Sequence, residues 1–168
     1  MKKVTLIILF ICSLNCAGQE ANWYTNMSKA VKQSKKEQKP LLLNFAGSDW
    51  CGFCIKLDKE VFNTPEFKEW AKNNVILVEL DFPRNKEQEQ AIKKQNKALM
   101  ELLDVQGYPT IWFVKPTKEG KNLEQLGVNT GYNSGGASEW LKKANEIIAN
   151  YKKDNLTIAS KSGLTKQK

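Results

Sequence analysis

The sequence contains no histidine, a single arginine (Arg84) and no apolar run of bilayer-spanning length. Each absence excludes something. Without imidazole there is no Ser-His-Asp triad, no Cys-His dyad and no zinc site built on histidine. The longest apolar stretch, Val4 to Leu14, is interrupted by Thr5, Cys12 and Ser13. A spanning helix needs about 20 apolar residues. What is present fits one globular domain: 168 residues, 41% hydrophobic, 26% charged and 10% aromatic, values that exclude disorder, collagen and a multi-span membrane protein.

The net charge of +8 invites an acidic partner, but its location weakens that reading. Two lysines lie in the leader, and residues 152–168 carry five lysines against one aspartate. Residues 19–151 are left near +2. With Arg84 as the sole arginine and Trp112 and Trp140 on core patterns, no nucleic-acid surface is predicted. Residues 152–168 are predicted to be a flexible, solvated tail.

Residues 1–18 have the order of a secretory signal: Lys2 and Lys3, an apolar run, then small Ala17 and Gly18 before Gln19. Ser13-Leu14-Asn15-Cys16 is a variant of a lipoprotein processing site, so lipidation at Cys16 is the alternative, and the only route to membrane attachment. Either way, of the four cysteines only Cys51 and Cys54 remain as free candidates in the domain, residues 19–151.

Hydrophobic periodicity predicts a helix over 23–37, ended by Pro40, and a buried strand over 41–46. A helix from Cys51 carries Cys54, Leu57, Val61 and Phe62 on one face and breaks near Asn63, before a fresh start at Thr64-Pro65. A strand follows over 75–82. A third helix opens at an Asn85/Gln88 capping box with apolar positions Ala91, Ile92, Ala98, Leu99, Leu102 and Leu103. Strand 110–114 and a partner within 123–128 form a hairpin, and Trp140 to Tyr151 trace a last helix. The order α-β-α-β-α-β-β-α predicts an α/β fold: a mixed central sheet, parallel with an antiparallel hairpin, and helices on both faces.

The chemistry concentrates in Trp50-Cys51-Gly52-Phe53-Cys54. Two cysteines at this spacing serve redox exchange or metal binding. A metal cage needs four ligands, and neither a second cysteine pair nor a histidine exists to complete one. For redox work the setting is suitable. Cys51 stands at a helix start, where unpaired N–H groups and the helix dipole stabilise a thiolate. Cys54 is one turn on, within reach of a mixed disulfide. Gly52 would permit a tight loop, and Trp50 and Phe53 would form an apolar rim. A purely structural disulfide closing so short a loop would contribute little stability.

WCxxC after a buried strand, followed by a helix and then Gly107-Tyr108-Pro109-Thr110 leading into a strand, resembles the thioredoxin superfamily across residues 23–151. Phe45 to Cys51 and Glu60 to Phe67 are similar to secreted thioredoxin-like proteins of the thioredoxin-7 kind and to the C-terminal periplasmic domain of DsbD-type proteins. The resemblance implies a thioredoxin fold, a cis Pro109 facing the cysteines, and substrate contacts from Trp50 and the Tyr108 backbone. It implies no cofactor beyond the Cys51–Cys54 couple. Its expected partners are protein or peptide disulfides and an external electron donor, such as a membrane thiol-reductant conductor. One departure stands out. Where many thioredoxins carry a buried Asp to accept the second cysteine's proton, this chain has Asn44; Asp58 and Glu79 are the substitute candidates. The absence of histidine between the cysteines favours a reductase or isomerase over a strong oxidase. An alternative on the same fold is a peptide-binding, chaperone-like module with little redox turnover.

Overall fold

The computed structural model describes residues 21–117 and 122–164. The predicted leader, with Cys12 and Cys16, lies outside the described residues. Five strands form one sheet in the order β1-β3-β2-β4-β5. They are β1 (Trp23–Tyr24), β2 (Leu41–Ala46), β3 (Ile76–Asp81), β4 (Thr110–Pro116) and β5 (Leu123–Thr130). β1, β3 and β2 run parallel; β4 is antiparallel to β2 and to β5.

Every residue of β2 is buried, as expected of a central strand covered on both faces. Its alternation divides the core in two. Leu42 joins Leu77, Ile111 and Phe113 under one helical layer, and Leu41, Leu43 and Phe45 join Val78, Leu80 and Val114 under the other. The first layer is α2 (Gly52–Leu57), a π-helical turn over Asp58–Phe62, α3 (Pro65–Asn74) and α5 (Gly136–Leu164). It contributes Phe62, Phe67 and Trp140, whose rings pack at centroid distances of 4.7 to 5.6 Å. The second layer is α1 (Met27–Glu37) and α4 (Gln90–Leu102).

The sheet is mixed with helices on both faces, as the sequence predicts. Four details differ. First, Trp23 and Tyr24 leave the predicted helix and pair with Leu77 and Val78 as an edge strand. α1 starts only after Asn26, whose side chain accepts the Lys29 N–H. Second, β4 rather than β5 runs against the other strands, and β5 returns in their direction, because chain direction depends on which end of the sheet α4 returns to, and periodicity does not encode that. Third, Asn85 and Gln88 do not cap α4. The Asn85 N–H donates to Asp49 and the Gln88 amide to the Asp81 carbonyl, so the helix starts at Gln90. Its inner face carries Asn96 and Leu99 rather than Ala91, Ala98 or Leu102; Leu102 is 62% exposed. Fourth, α5 continues to Leu164 where a tail from residue 152 is predicted. Before Gly163 that segment has neither glycine nor proline to stop a helix, and Lys152 reaches Asn74 Oδ1 at 3.0 Å.

Candidate active site

The carboxyl end of β2 delivers the chain into Gly47-Ser48-Asp49-Trp50, then α2. A disulfide joins Cys51 to Cys54, with Cα atoms 5.2 Å apart. Cys51 is the N-cap of α2, and its Sγ accepts the Cys54 N–H at 3.3 Å. That bond and the helix dipole both favour negative charge on Cys51 sulfur once the disulfide opens. Both cysteines are largely buried and pack with Ala46, Trp50 and Tyr108. The Tyr108–Pro109 bond is cis. Trp50 meets the Tyr108 ring edge-on at 5.7 Å, so four residues of the predicted site, Trp50, Cys51, Cys54 and Tyr108, share one cluster. Pro109 adjoins it and also borders a cleft of about 440 Å³ beside Trp112 and Val128.

The loop before the cysteines is clasped to the loop after β3. Asp81 accepts both the Ser48 N–H (2.8 Å) and its hydroxyl (2.6 Å). Asp49 accepts the N–H groups of Arg84 (3.0 Å) and Asn85 (2.6 Å), which hold its carboxyl below the ordinary range. Trp50 donates its indole N–H to the Phe82 carbonyl at 2.8 Å, and the Arg84 guanidinium lies 3.7 Å over its ring. The indole crosses Gly47, where a Cβ would lie 2.6 Å from Nε1 and 2.8 Å from Cζ2. The glycine this site requires is therefore Gly47. Gly52 is an ordinary helical residue with open space where a Cβ would stand.

Asn44, Asp58 and Glu79 come together, as lining of a polar cavity of about 180 Å³ that also touches Trp23, Asn63 and Lys68. Asn44 and Glu79 are register partners on adjacent strands, two residues back along β2 from Ala46. The buried Asn44 Oδ1 has no hydrogen-bond partner. Burial raises the Glu79 carboxyl above its ordinary value, assisted by the charges of Asp81 and Asp58 and opposed by Lys86. Asp58 is exposed and accepts the Asn63 amide at 2.6 Å.

Asp49, Asp81 and Arg84 belong to this region and carry no motif signal in the sequence. Asp49 reads as loop polarity and Asp81 as the end of a strand, because their partners lie 33 to 36 residues away. The solitary arginine was the one available hint.

A family model for a thioredoxin-like domain matches residues 27–145. The chain is 31% identical over 132 residues to the disulfide bond reductase DsbH of Chlamydia pneumoniae, covering 79% of this chain and 75% of that protein. It is 33% identical over 97 residues to the thiol:disulfide interchange protein DsbD of Haemophilus influenzae, covering 56% of this chain but only 15% of that protein. A solved DsbH oxidoreductase superposes with a TM-score of 0.70 at 29% identity, covering 78% of this chain and 86% of the other.

Proposed function

The chain belongs to the thioredoxin-like family, and from that premise we propose that it is an extracytoplasmic thiol:disulfide oxidoreductase that reduces or isomerises protein disulfides through Cys51 and Cys54. The observation that carries this is the disulfide at the start of α2, packed against Trp50 and Tyr108 beside a cis proline. The kinship to a disulfide bond reductase supports it.

In the reducing direction the Cys51 thiolate attacks one sulfur of the substrate disulfide. An S–S bond to Cys51 forms, the substrate's S–S bond breaks, and one substrate thiolate leaves and takes a proton. Cys54 then loses its proton and attacks Cys51 Sγ. The second substrate thiol is released and the Cys51–Cys54 disulfide remains. Two electrons have passed to the substrate, and an external dithiol donor returns them. Trp50 shields the reacting sulfurs, and the Tyr108–Pro109 backbone aligns an extended substrate chain.

Of the two candidate acceptors of the Cys54 proton, Glu79 fits better. It is the carboxylate whose charge burial disfavours, so it takes up a proton more readily than an ordinary carboxylate. It sits beside Asn44, whose orphaned oxygen makes the cavity hospitable to a bridging water. Asp58 lies on the outer side of the same cavity, where it would pass the proton to solvent.

Residues 1–18 are read as the export signal, with cleavage before Gln19 or lipidation at Cys16; N-terminal mass spectrometry of the secreted product distinguishes the two. The mechanism is tested by trapping. Cys54→Ser should accumulate mixed disulfides through Cys51, whereas Cys51→Ser should form none and should lose insulin reduction with dithiothreitol. Retention of insulin reduction by Cys51→Ser would refute the proposal. A reduction potential toward ~−270 mV supports a reductase, and one toward ~−120 mV an oxidase.

A further inference from the structure

Tyr108, the residue before the cis proline, is tied at the far end of its side chain to a sulfur. Its hydroxyl donates to Met100 Sδ at 3.2 Å. Met100 stands in the last turn of α4, eight residues earlier in the chain. The Met100 carbonyl also accepts the Val105 N–H at 3.0 Å, so this residue holds the loop leading to Gly107-Tyr108-Pro109 at a second point. Burial raises the Tyr108 phenol above its ordinary value, which keeps it a donor at neutral pH. A thioether is a weak acceptor for such a donor.

The ring held in this way reaches the redox site. It packs with Cys51, Cys54 and Ala46, meets Trp50 edge-on at 5.7 Å and lies 5.2 Å from the Phe82 ring. The position of the Met100 sulfur therefore sets where a ring beside the disulfide stands. Met100 is only part buried, so a small oxidant can reach its sulfur. The described residues hold two methionines, and the other, Met27, opens α1.

We propose that Met100 is an oxidation-sensitive anchor: conversion of its thioether to the sulfoxide by a peroxide displaces the Tyr108 ring and slows disulfide reduction at Cys51. In that step the sulfur gives up two electrons and gains one oxygen. The peroxide O–O bond breaks, and the second oxygen of hydrogen peroxide leaves as water. The sulfoxide oxygen accepts a hydrogen bond more strongly than the thioether did, so the phenol follows it. An O–H···O bond of ~2.7–2.8 Å to an atom standing off the sulfur replaces the 3.2 Å contact with the sulfur itself. With Tyr108 moved, its edge contact with Trp50 and its packing on the cysteines both loosen. Cys51 and Cys54 are shielded from the same oxidant while they are joined as a disulfide, and a methionine sulfoxide reductase reverses the change. This inference rests on the redox reading above and adds a regulation of that site.

The test treats the full-length protein, in its disulfide form, with hydrogen peroxide. Peptide mass spectrometry should find the added oxygen on Met100. The kcat/KM for insulin reduction with dithiothreitol should then fall about fivefold, within the range for one lost aromatic contact, and methionine sulfoxide reductase should restore it. The indole N–H resonance of Trp50 should shift on oxidation and return on repair. Met100→Leu, which has no sulfur to oxidise, should be insensitive to peroxide; that comparison also subtracts oxidation of Met27, Cys12 and Cys16. Tyr108→Phe keeps the ring without the hydroxyl, so it should oxidise at Met100 and lose most of the response. The wild-type measurement needs no variant, so poor folding of either variant does not protect the idea. Met100 left intact while Met27 is converted would overturn the inference. So would an oxidised wild type with unchanged kcat/KM, or an equal loss in Met100→Leu or Tyr108→Phe. An untreated wild type that fails to reduce insulin would overturn the redox reading itself, and the Trp50 resonance would then judge the anchor alone.

Discussion

Replacing Gly47 with alanine isolates the contact that seats Trp50. Gly47 needs no left-handed backbone, so the substitution acts through space alone. The new Cβ would fall 2.6 Å from Trp50 Nε1 and 2.8 Å from Cζ2, against an ordinary contact of 3.4 Å or more. The indole must therefore retreat by several tenths of an ångström. That breaks or weakens its 2.8 Å bond to the Phe82 carbonyl, worth ~0.5–1.5 kcal/mol net. The stack under Arg84 and the edge contact with Tyr108 suffer too, at ~0.5–1 kcal/mol for an exposed cation–π pair and ~0.5–1.5 kcal/mol for an aromatic pair. Against this, alanine restricts the unfolded chain and contributes ~0.4–1 kcal/mol in the other direction. A net loss of about 0.5–3.5 kcal/mol follows, around the usual cost of overpacking. Urea denaturation followed by far-UV circular dichroism measures it, with an unchanged slope. The decisive comparison is in a Trp50→Ala background, where the obstacle is gone and Gly47→Ala should be neutral or stabilising. An equal loss in both backgrounds would refute the steric account, as would a single-mutant effect below ~0.5 kcal/mol, the range of an inert surface change.

Glu79 has a raised carboxyl in the folded state, so the folded protein binds a proton more readily than the unfolded chain, and stability should fall as pH rises from the ordinary value of 4.5 through the folded one. Glu79→Gln, which stays neutral, should melt above wild type at pH 8 and converge with it near pH 4; a lower melting temperature at pH 8 would contradict the assignment. The same variant should slow release of substrate from the mixed disulfide, read by rapid quench. Asp49 behaves oppositely, because the Arg84 and Asn85 amides favour its charged form. Amide exchange at those two residues should stay protected as pH falls below the ordinary aspartate range, and Asp49→Ala should abolish the protection at any pH. At the junction behind the cysteines, Thr64 Oγ1 accepts the Phe67 N–H and donates to the Val61 carbonyl. Thr64→Ala should cost ~0.5–2 kcal/mol in a denaturant titration, the usual value of an N-cap; no measurable change would mean the cap is idle.

Features whose cause is local can be read directly from the order of the residues. The run 41–46 is buried because six nearly continuous apolar residues bounded by Pro40 and Gly47 suit a central strand. α3 starts where Thr64 and Pro65 stand because a cap and a fixed φ act within one turn. Cys51 and Cys54 meet because four residues at a helix start bring their Cα atoms to 5.2 Å. Tertiary structure decided everything that depends on which distant residue arrives first at a hydrogen-bonding group. Asn85 and Gln88 spell a capping box, yet Asp49 and the Asp81 carbonyl take their donors and delay α4. Trp23 and Tyr24 fit a helical period, yet the open edge of β3 claims them as a strand. Asn44 reads as the loss of an acid until the register of β2 against β3 sets Glu79 beside it. Tyr132 reads as loop until its ring meets Phe53, 79 positions away in the sequence. Helical turns and caps close within four residues and so can be seen in a string of letters. Pairings across the sheet and between loops close only when the whole core has folded.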